Sequence, residues 1–450
     1  MSAGLLLSPP ESRSAADSPP LVKPCVPRRV RSPIISATRG DHSAIYCFLT
    51  GVLGPPHSRA EFKAALEDPF YEPCDRLLLR RNGQIYGHVH LTHRVVQFGS
   101  VPIPVAGLDR LAIDPQRRGR GLGMHLLQAA EQRMLQDGAV LGLLRTSIPH
   151  FFRRTGWALC GRPSYRAAGA RALLAQLLDY GIHQERQRRF QIRPWRRWEE
   201  AGLMRIYDEN RAGSFGFSER SRAYWQWLLR RHAYDQLYVA LQGSNLWNPE
   251  VTDQAMVGYA AIQGDKIVEL MTVRGRERAA ARLLARVCGD AIEHDRQNVV
   301  LHAPPGSRLF RFFDQARGSR PEGPAERGAV SMARLLDPRA FLRLLCGPLQ
   351  HRAEQAGLPR PMMLGLLVEG RKYKLEITRQ GIAVSTNHVS RNYLRLNVCD
   401  FTRLLLGQLD YEQALAEGRL EASTAFARDS GAVLFPHLPL WRPPWDDLTA

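Results

Sequence analysis

The sequence predicts a mixed α/β (α+β) fold of two similar α/β units followed by a differently patterned C-terminal unit. Three observations carry this expectation. Short apolar strand-like runs alternate with amphipathic helical stretches from Ile34 onward, the pattern of sheet and helix layers around shared cores. That order of elements occurs twice, over 34–182 and again over 187–316. Residues 333–450 then read as closely spaced strands surrounded by short helices.

Residues 1–33 are rich in Pro, Ser and Arg without periodicity and read as a disordered leader. The first unit follows with a strand near 34–38, helices over 41–67, and strands over 76–81, 85–96 and 101–113. Asn82-Gly83 and Gly99-Ser100 supply turn chemistry between the strands. Pro115 stops the third, because proline cannot donate a ladder hydrogen bond. Arg118-Gly119-Arg120-Gly121-Leu122-Gly123 comes next, and Leu126, Leu127, Ala130 and Met134 then recur at helical spacing. A strand over 139–146 completes the motif.

The glycines of that loop let the backbone approach a ligand, and the helix start adds unpaired N–H donors and a positive dipole end. Strand, loop and helix together make an anion nest suited to a pyrophosphate. No Gly-Lys-Ser/Thr step follows, which excludes a phosphate loop of the NTPase kind. A dinucleotide fingerprint wants its glycines in the first strand-to-helix turn, whereas this loop follows several strands.

The fixed positions Arg118, Gly121 and Gly123 fit the pattern [QR]-x-x-G-x-[GA], which resembles the acetyl-CoA loop of the GCN5-related N-acetyltransferases (GNAT). Phe151-Phe152-Arg153-Arg154-Thr155-Gly156-Trp157 resembles the F-Y-x-x-x-G-[FY] turn of the same family. The second unit starts at Phe190 to Trp195 and repeats the order with helices over about 198–209 and 218–231, strands over 236–241, 255–263 and 266–272, a helix over 276–294 and a strand over 299–302. Its loop, Thr272-Val273-Arg274-Gly275-Arg276-Glu277, has one glycine and puts a carboxylate where a phosphate would sit. It reads as a degenerate copy that has lost the cofactor. Residues 317–332 read as a linker. Leu405-Leu406-Gly407, Gly418-Arg419-Leu420 and the Pro- and Trp-rich ending resemble a sterol-carrier-protein-2-like (SCP2-like) domain. Tandem GNAT units with that module form the layout of the enhanced intracellular survival (Eis-like) acetyltransferases.

The resemblance implies transfer of an acetyl group from acetyl-CoA to the amine of a small-molecule or peptide acceptor by direct attack. Leu111, Ala112, Ile113, Arg118, Gly119, Arg120, Gly121, Leu122 and Gly123 would hold the cofactor. An ammonium must lose a proton before it attacks, so a base is needed. Members of the subfamily use the C-terminal carboxylate, here that of Ala450, with Trp441 and Trp445 as buried anchors of the tail. Asp109, in the strand before the loop, is the alternative base. The tyrosine that protonates the leaving thiolate in many members falls at Phe152, which has no proton to give; His150 and Tyr165 are the candidate substitutes. A noncatalytic acyl-CoA- or lipid-binding protein that kept the loop is the alternative reading.

Composition bounds the remaining classes. The formal charge is +19, yet only five of the 62 basic residues are lysine, and the 57 arginines are spread along the whole chain. That distribution fits a base-composition bias and nonspecific polyanion attraction, not a dedicated nucleic-acid surface. No apolar run reaches the length of a membrane span. Seven scattered cysteines without a C-x-x-C pair predict neither zinc site nor disulfide framework, and point to a reducing cytoplasm. No metal is expected, and assembly into a homo-oligomer stays open.

Overall fold

The computed structural model describes residues 33–54, 59–161, 164–182, 190–231, 233–243, 254–319 and 330–447. Three sheets organise them. The first has eight strands: β1 (Ile34–Ser36), β2 (Arg76–Arg81), β3 (Gln84–Phe98), β4 (Val101–Ile113), β5 (Leu141–Thr146), β6 (Ala158–Leu159), β9 (Phe215–Ser218) and β14 (Val330–Leu335). Its order is β1-β2-β3-β4-β5-β14-β6, with β9 paired to the far end of β3.

β3 and β4 form a long hairpin whose register runs from Phe98↔Val101 to Gly87↔Ile113. Because strand side chains alternate between faces, Val89 and Leu91 point to one side and His90, Thr92 and Arg94 to the other. The first side meets helix α3 (Leu122–Gln136), whose Leu126, Leu127, Ala130 and Met134 share a core with Leu77, Leu79, Val89 and Leu91. On the second side, α1 (His42–Leu53) and α2 (Arg59–Leu66) bury Ile45, Leu49 and Phe62 against Leu78 and Ala112. Trp157, fully buried, lies across β5 at Gly142, where a Cβ would come within 2.8 Å of the indole ring. Glycine is the residue that fits that contact.

The second sheet has the order β7-β13-β12-β11-β10-β8. Its strands are β7 (Tyr165–Gly169), β8 (Phe190–Pro194), β10 (Gln236–Gln242), β11 (Met256–Gln263), β12 (Lys266–Thr272) and β13 (Asn298–His302). The helix Glu277–Glu293 covers it, burying Ala279, Ala280, Leu283, Leu284, Val287 and Ala291. Two strands sit where local pattern did not group them. Tyr165–Gly169, read with the first unit, pairs antiparallel with β13, Tyr165 facing His302. Val330–Leu335, which begins inside the stretch read as linker, inserts between β5 and β6. An open sheet edge presents unpaired donors and acceptors that a passing strand satisfies, and this choice of edge is tertiary. Arg334 of β14 fixes the insertion by donating to Glu131 of α3 at 2.6 Å, and the same carboxylate accepts from Trp157 Nε1 at 2.8 Å.

The third sheet contains β15 (Met362–Val368), β16 (Arg371–Ile377), β17 (Ile382–Thr386), β18 (Tyr393–Leu396) and β19 (Leu420–Ala422), in the order β17-β16-β15-β18-β19. Its Leu364 and Leu375, with Phe401 of the helix Val398–Leu405, share one core with Val96, Phe98, Ile103 and Leu141 of the first sheet. The chain after the helix Ala425–Leu434 returns to the second unit. There Trp441 and Trp445 are buried among Tyr207, Trp225 and Tyr259, as the anchor reading anticipated. Trp441 N–H donates to Phe215 O at 2.8 Å, and Gly216, at φ 110, leaves room for that crossing. No described helix is long and apolar enough to cross a membrane.

Candidate active site

β4 and β5 run parallel and pair from Val105↔Leu141 to Leu108↔Leu144, and there the pairing ends. β4 continues to Ile113 and β5 to Thr146, so the two strands separate beyond Leu108 and Leu144. A bulge marks the same place. Between the pairs His90↔Asp109 and His88↔Ala112, β4 supplies Arg110 and Leu111 opposite the single residue Val89, and Arg110 adopts φ 51. Such a bulge re-aims the strand and frees backbone groups from the ladder. An opening is thus built into the middle of the first sheet.

The glycine-rich loop stands at one mouth of this opening. Gly119 and Gly121 have φ 76 and 77, in the left-handed region, and a Cβ at either would meet nothing within 4 Å. Glycine is kept there for backbone conformation and ligand approach, not for protein packing. Gly121 caps α3, whose first hydrogen bond is His125 N–H to Gly121 O at 3.0 Å. The N–H groups of Leu122, Gly123 and Met124 therefore have no acceptor within the helix. Arg118 Nε donates to Ile113 O at 3.1 Å and folds the loop back onto the strand end. Leu122 and Ala112 have buried side chains and can offer only their backbone, whereas Leu111 and Ile113 are partly buried against the α3 core. The loop, the helix start and the opened strand fit a pyrophosphate and its pantetheine arm, so the cofactor residues expected from sequence do come together.

A cleft of about 1160 Å³ lies on the other face of the sheet. His90, Thr92, Arg94, Val96 and Phe98 of β3 and Ile103, Val105 and Gly107 of β4 form its floor. The second unit supplies Trp227, Lys266 and His302 to its walls, and the C-terminal part supplies Phe341, Leu406, Leu440 and Trp441. Asp109, Arg110, Leu144 and Arg145 stand where the cleft meets the strand opening. No residue from 111 to 123 lines the cleft among those described, so the nest and the cleft reach the opening from opposite faces.

At that junction, His90 Nδ1 lies 3.7 Å from Asp109 Oδ2, and Arg110 Nε lies 3.5 Å from the same oxygen. Loss of water works to raise the Asp109 carboxyl, but His90 and Arg110 hold it well below the usual carboxylate range. Such a group stays ionised and is a weak proton acceptor. Burial lowers the His90 pKa from its ordinary value, partly opposed by Asp109, which keeps the imidazole neutral near pH 7. Beneath it His88, also held neutral by burial, donates from Nδ1 to Arg110 O at 3.1 Å and supports the bulge.

The other expected catalytic residues fall elsewhere. His150, on the short helix Pro149–Arg153, is exposed and does not line the cleft. Phe152 packs edge-on against Trp157 in the α3 core. Tyr165 does line the cleft, stacked on His302 with ring centroids 5.3 Å apart. Ala450 lies outside the described residues. Sequence reasoning missed His90, although His88, His90, Thr92 and Arg94 alternate with Val89 and Leu91. A polar face on a central strand is the signal of a lined cleft.

It missed Asp446 as well, a buried cleft residue of the tail. Arg220 donates to Asp446 Oδ1 at 2.9 Å and to both Glu269 oxygens at 2.9 and 2.6 Å, while Tyr259 donates to Glu269 at 2.6 Å. This desolvated cluster ties the tail to the second unit. Removing one member of such a group strands the others without compensation.

In the second unit, β12 and β13 pair only at Lys266↔Val300 and Ile267↔Leu301, and a cavity of about 510 Å³ follows the pair. The corresponding loop reaches it, but Glu277 occupies the first turn of the helix, paired with Arg308 at 2.9 Å and Arg311 at 3.1 Å. The arginines pull the Glu277 carboxyl down, so its charge already answers the helix dipole. No group of three or more His, Cys, Asp or Glu is placed to hold a metal among the described residues.

Solved structures share this architecture. A GCN5-related N-acetyltransferase from Anabaena variabilis superposes with a TM-score of 0.67 at 15% identity, over 91% of this chain and 98% of that one. A GCN5-related N-acetyltransferase from Kribbella flavida gives 0.67 at 15%, over 91% and 97%. Eis1 from Mycobacterium abscessus gives 0.62 at 14%, over 90% and 97%. At such identities the likeness is one of fold. No curated protein matches the sequence. Residues 33–160, which hold the opened strands, the loop and the floor of the cleft, match the sequence model of the acetyltransferase (GNAT) domain, and this part of the chain is a GNAT acetyltransferase domain.

Proposed function

We propose that the chain transfers an acetyl group from acetyl-CoA to a primary amine in a ternary complex, at the opening between β4 and β5. The observation that carries this reading is the meeting of an anion nest on one face with a cleft on the other, at the bulge where β4 leaves β5. The N–H groups of Leu122, Gly123 and Met124 would hold the pyrophosphate, and the freed backbone of Asp109 to Ile113 would take the arm and polarise the thioester carbonyl. Bound acetyl-CoA supplies an activated acyl carbon and a thiolate leaving group.

His90 is the base that takes the acceptor's proton. It is neutral, lines the cleft beside the bulge, and has Asp109 beside Nδ1 to orient the ring. Asp109 then acts as the positioning residue. The thiolate leaves near its ordinary pKa of ~8.5, so the reaction proceeds without a tyrosine at Phe152. The tandem arrangement and the five-stranded C-terminal sheet with its helices suit an Eis-like enzyme with an SCP2-like module, in which the second and third units wall the acceptor cleft.

Calorimetric titration with acetyl-CoA tests the cofactor assignment. One site per chain is expected, because Glu277 fills the equivalent helix start in the second unit. Two equivalent sites per chain would reject it.

A further inference from the structure

The charge of the cleft bears on the class of acceptor. Six Arg and Lys residues line it (Arg94, Arg110, Arg145, Arg231, Lys266 and Arg442) against four carboxylates, Glu61, Asp68, Asp109 and Asp446. Cofactor phosphates do not account for that excess, since the nest lies on the opposite face of the sheet. A polycationic acceptor gains little from a cleft in which Asp68 and Asp109 are already paired with Arg94 and Arg110.

The charge is also unevenly placed. Arg145 and Ser147 at the end of β5 line the cleft together with Ser164, Tyr165, Lys266 and His302, and these six form a donor-bearing wall. Strand pairings set the two ends of this wall, one in each sheet. Arg145 pairs with Ser331, Ser331 O accepts from Cys160 N–H at 3.1 Å, and His302 pairs with Tyr165. Every member bears a hydrogen-bond donor and none bears a carboxylate. That wall begins one residue beyond Leu144, the last residue paired with β4, so it borders the place of acyl transfer. The opposite direction is apolar. Val96, Phe98, Ile103, Val105, Leu141 and Leu143 extend from the opening toward Phe341 and Leu440.

We propose that the acceptor is a hydrophobic α-amino acid. The assignment rests on the acyl-transfer reading above and names its substrate class. The α-amine stands at the opening beside His90, the adjacent α-carboxylate faces the donor wall with Arg145, and the apolar side chain lies along the floor. A group with amine and carboxylate on one carbon spans a junction between a transfer site and a donor wall that are neighbours in the sheet. The reaction balances: the amine nitrogen bonds to the acetyl carbon, the carbon–sulfur bond breaks, the sulfur leaves as thiolate, and His90 takes the proton. The cleft exceeds the ~300–1,000 Å³ usual for small-molecule sites, which leaves room for the acceptor and the end of the pantetheine arm together.

The test compares acetyl-CoA-dependent acetylation of L-phenylalanine, phenethylamine and spermidine by the full chain. Phenylalanine is expected to show a kcat/KM at least ~10-fold above phenethylamine, the scale of one charge-assisted hydrogen bond, and further above spermidine. Arg145→Gln should erase most of the preference for phenylalanine over phenethylamine while phenethylamine turnover persists. Equal rates for phenylalanine and phenethylamine, or spermidine as the best acceptor, would overturn the acceptor assignment and leave acyl transfer standing. Absence of turnover with all three, alongside normal acetyl-CoA binding, would overturn both.

Discussion

Gly121→Glu is expected to abolish acetyl-CoA binding while the chain stays folded. Gly121 sits at φ 77 with open space where a Cβ would stand. The substitution strains the backbone by about 1–2 kcal/mol, the usual cost of a left-handed L-residue. That is small against the ~5–15 kcal/mol that typically stabilises a folded protein. The effect on ligand is larger. The new carboxylate stands at the N-terminus of α3, among the N–H groups of Leu122, Gly123 and Met124, where an anion is already favoured. It competes with the pyrophosphate for those donors and repels it. Loss of two charge-assisted hydrogen bonds at ~1.5–3 kcal/mol each corresponds to at least ~100-fold in affinity. The second unit carries the natural version of this arrangement in Glu277, held by Arg308 and Arg311. Gly121→Ala separates the two causes, since it carries the strain without the charge and should lose far less. A titration in which Gly121→Glu binds acetyl-CoA within a few-fold of the parent chain would remove the nest assignment.

His90→Gln is expected to lower turnover by ~10²–10⁴-fold, the usual contribution of a general base, with acetyl-CoA affinity unchanged. The pH dependence follows from the direction of the shift. Burial lowers the His90 pKa below 6.5, so the base is competent at neutral pH, and kcat falls as pH drops through that lowered value. Glutamine removes this acid limb along with the rate. Asp109→Asn has a distinct signature. The aspartate works to raise the His90 pKa, so its loss moves the limb to lower pH and reduces kcat by leaving the ring unoriented. A His90→Gln enzyme with full activity and an unchanged acid limb would show that the proton leaves by another route.

Much of this site was legible in the sequence because its signals are local. The positive-φ glycines, the helix that follows them and the strand that precedes them occupy one continuous stretch, and each had a physical reason visible in residue type. The placement of Glu277 at a helix start was legible for the same reason, and the structure puts it in the first turn, paired with Arg308 and Arg311. The cleft was not legible, because it forms where distant segments meet. Lys266 and His302 come from the second unit, Trp441 and Asp446 from the tail, and Arg145 and Ser331 meet only because β14 pairs with β5. No local period announces which sheet edge a strand will join, so β7 and β14 were grouped by neighbourhood in the chain. His90 was overlooked for a different reason. In the sequence the carboxylate of Asp109 stands out in the strand before the loop, whereas the lowered pKa that makes His90 the better base in this proposal arises from burial, which only packing creates.

The central claim is that nest and cleft meet at one opening, so both substrates are bound when the acyl group moves. Initial velocities measured while varying acetyl-CoA at several fixed concentrations of an acceptor amine test this directly. Intersecting reciprocal plots, with no acetylated enzyme detectable by mass when acetyl-CoA is supplied alone, are the predicted result. Parallel plots with a stable acetyl-enzyme would contradict it.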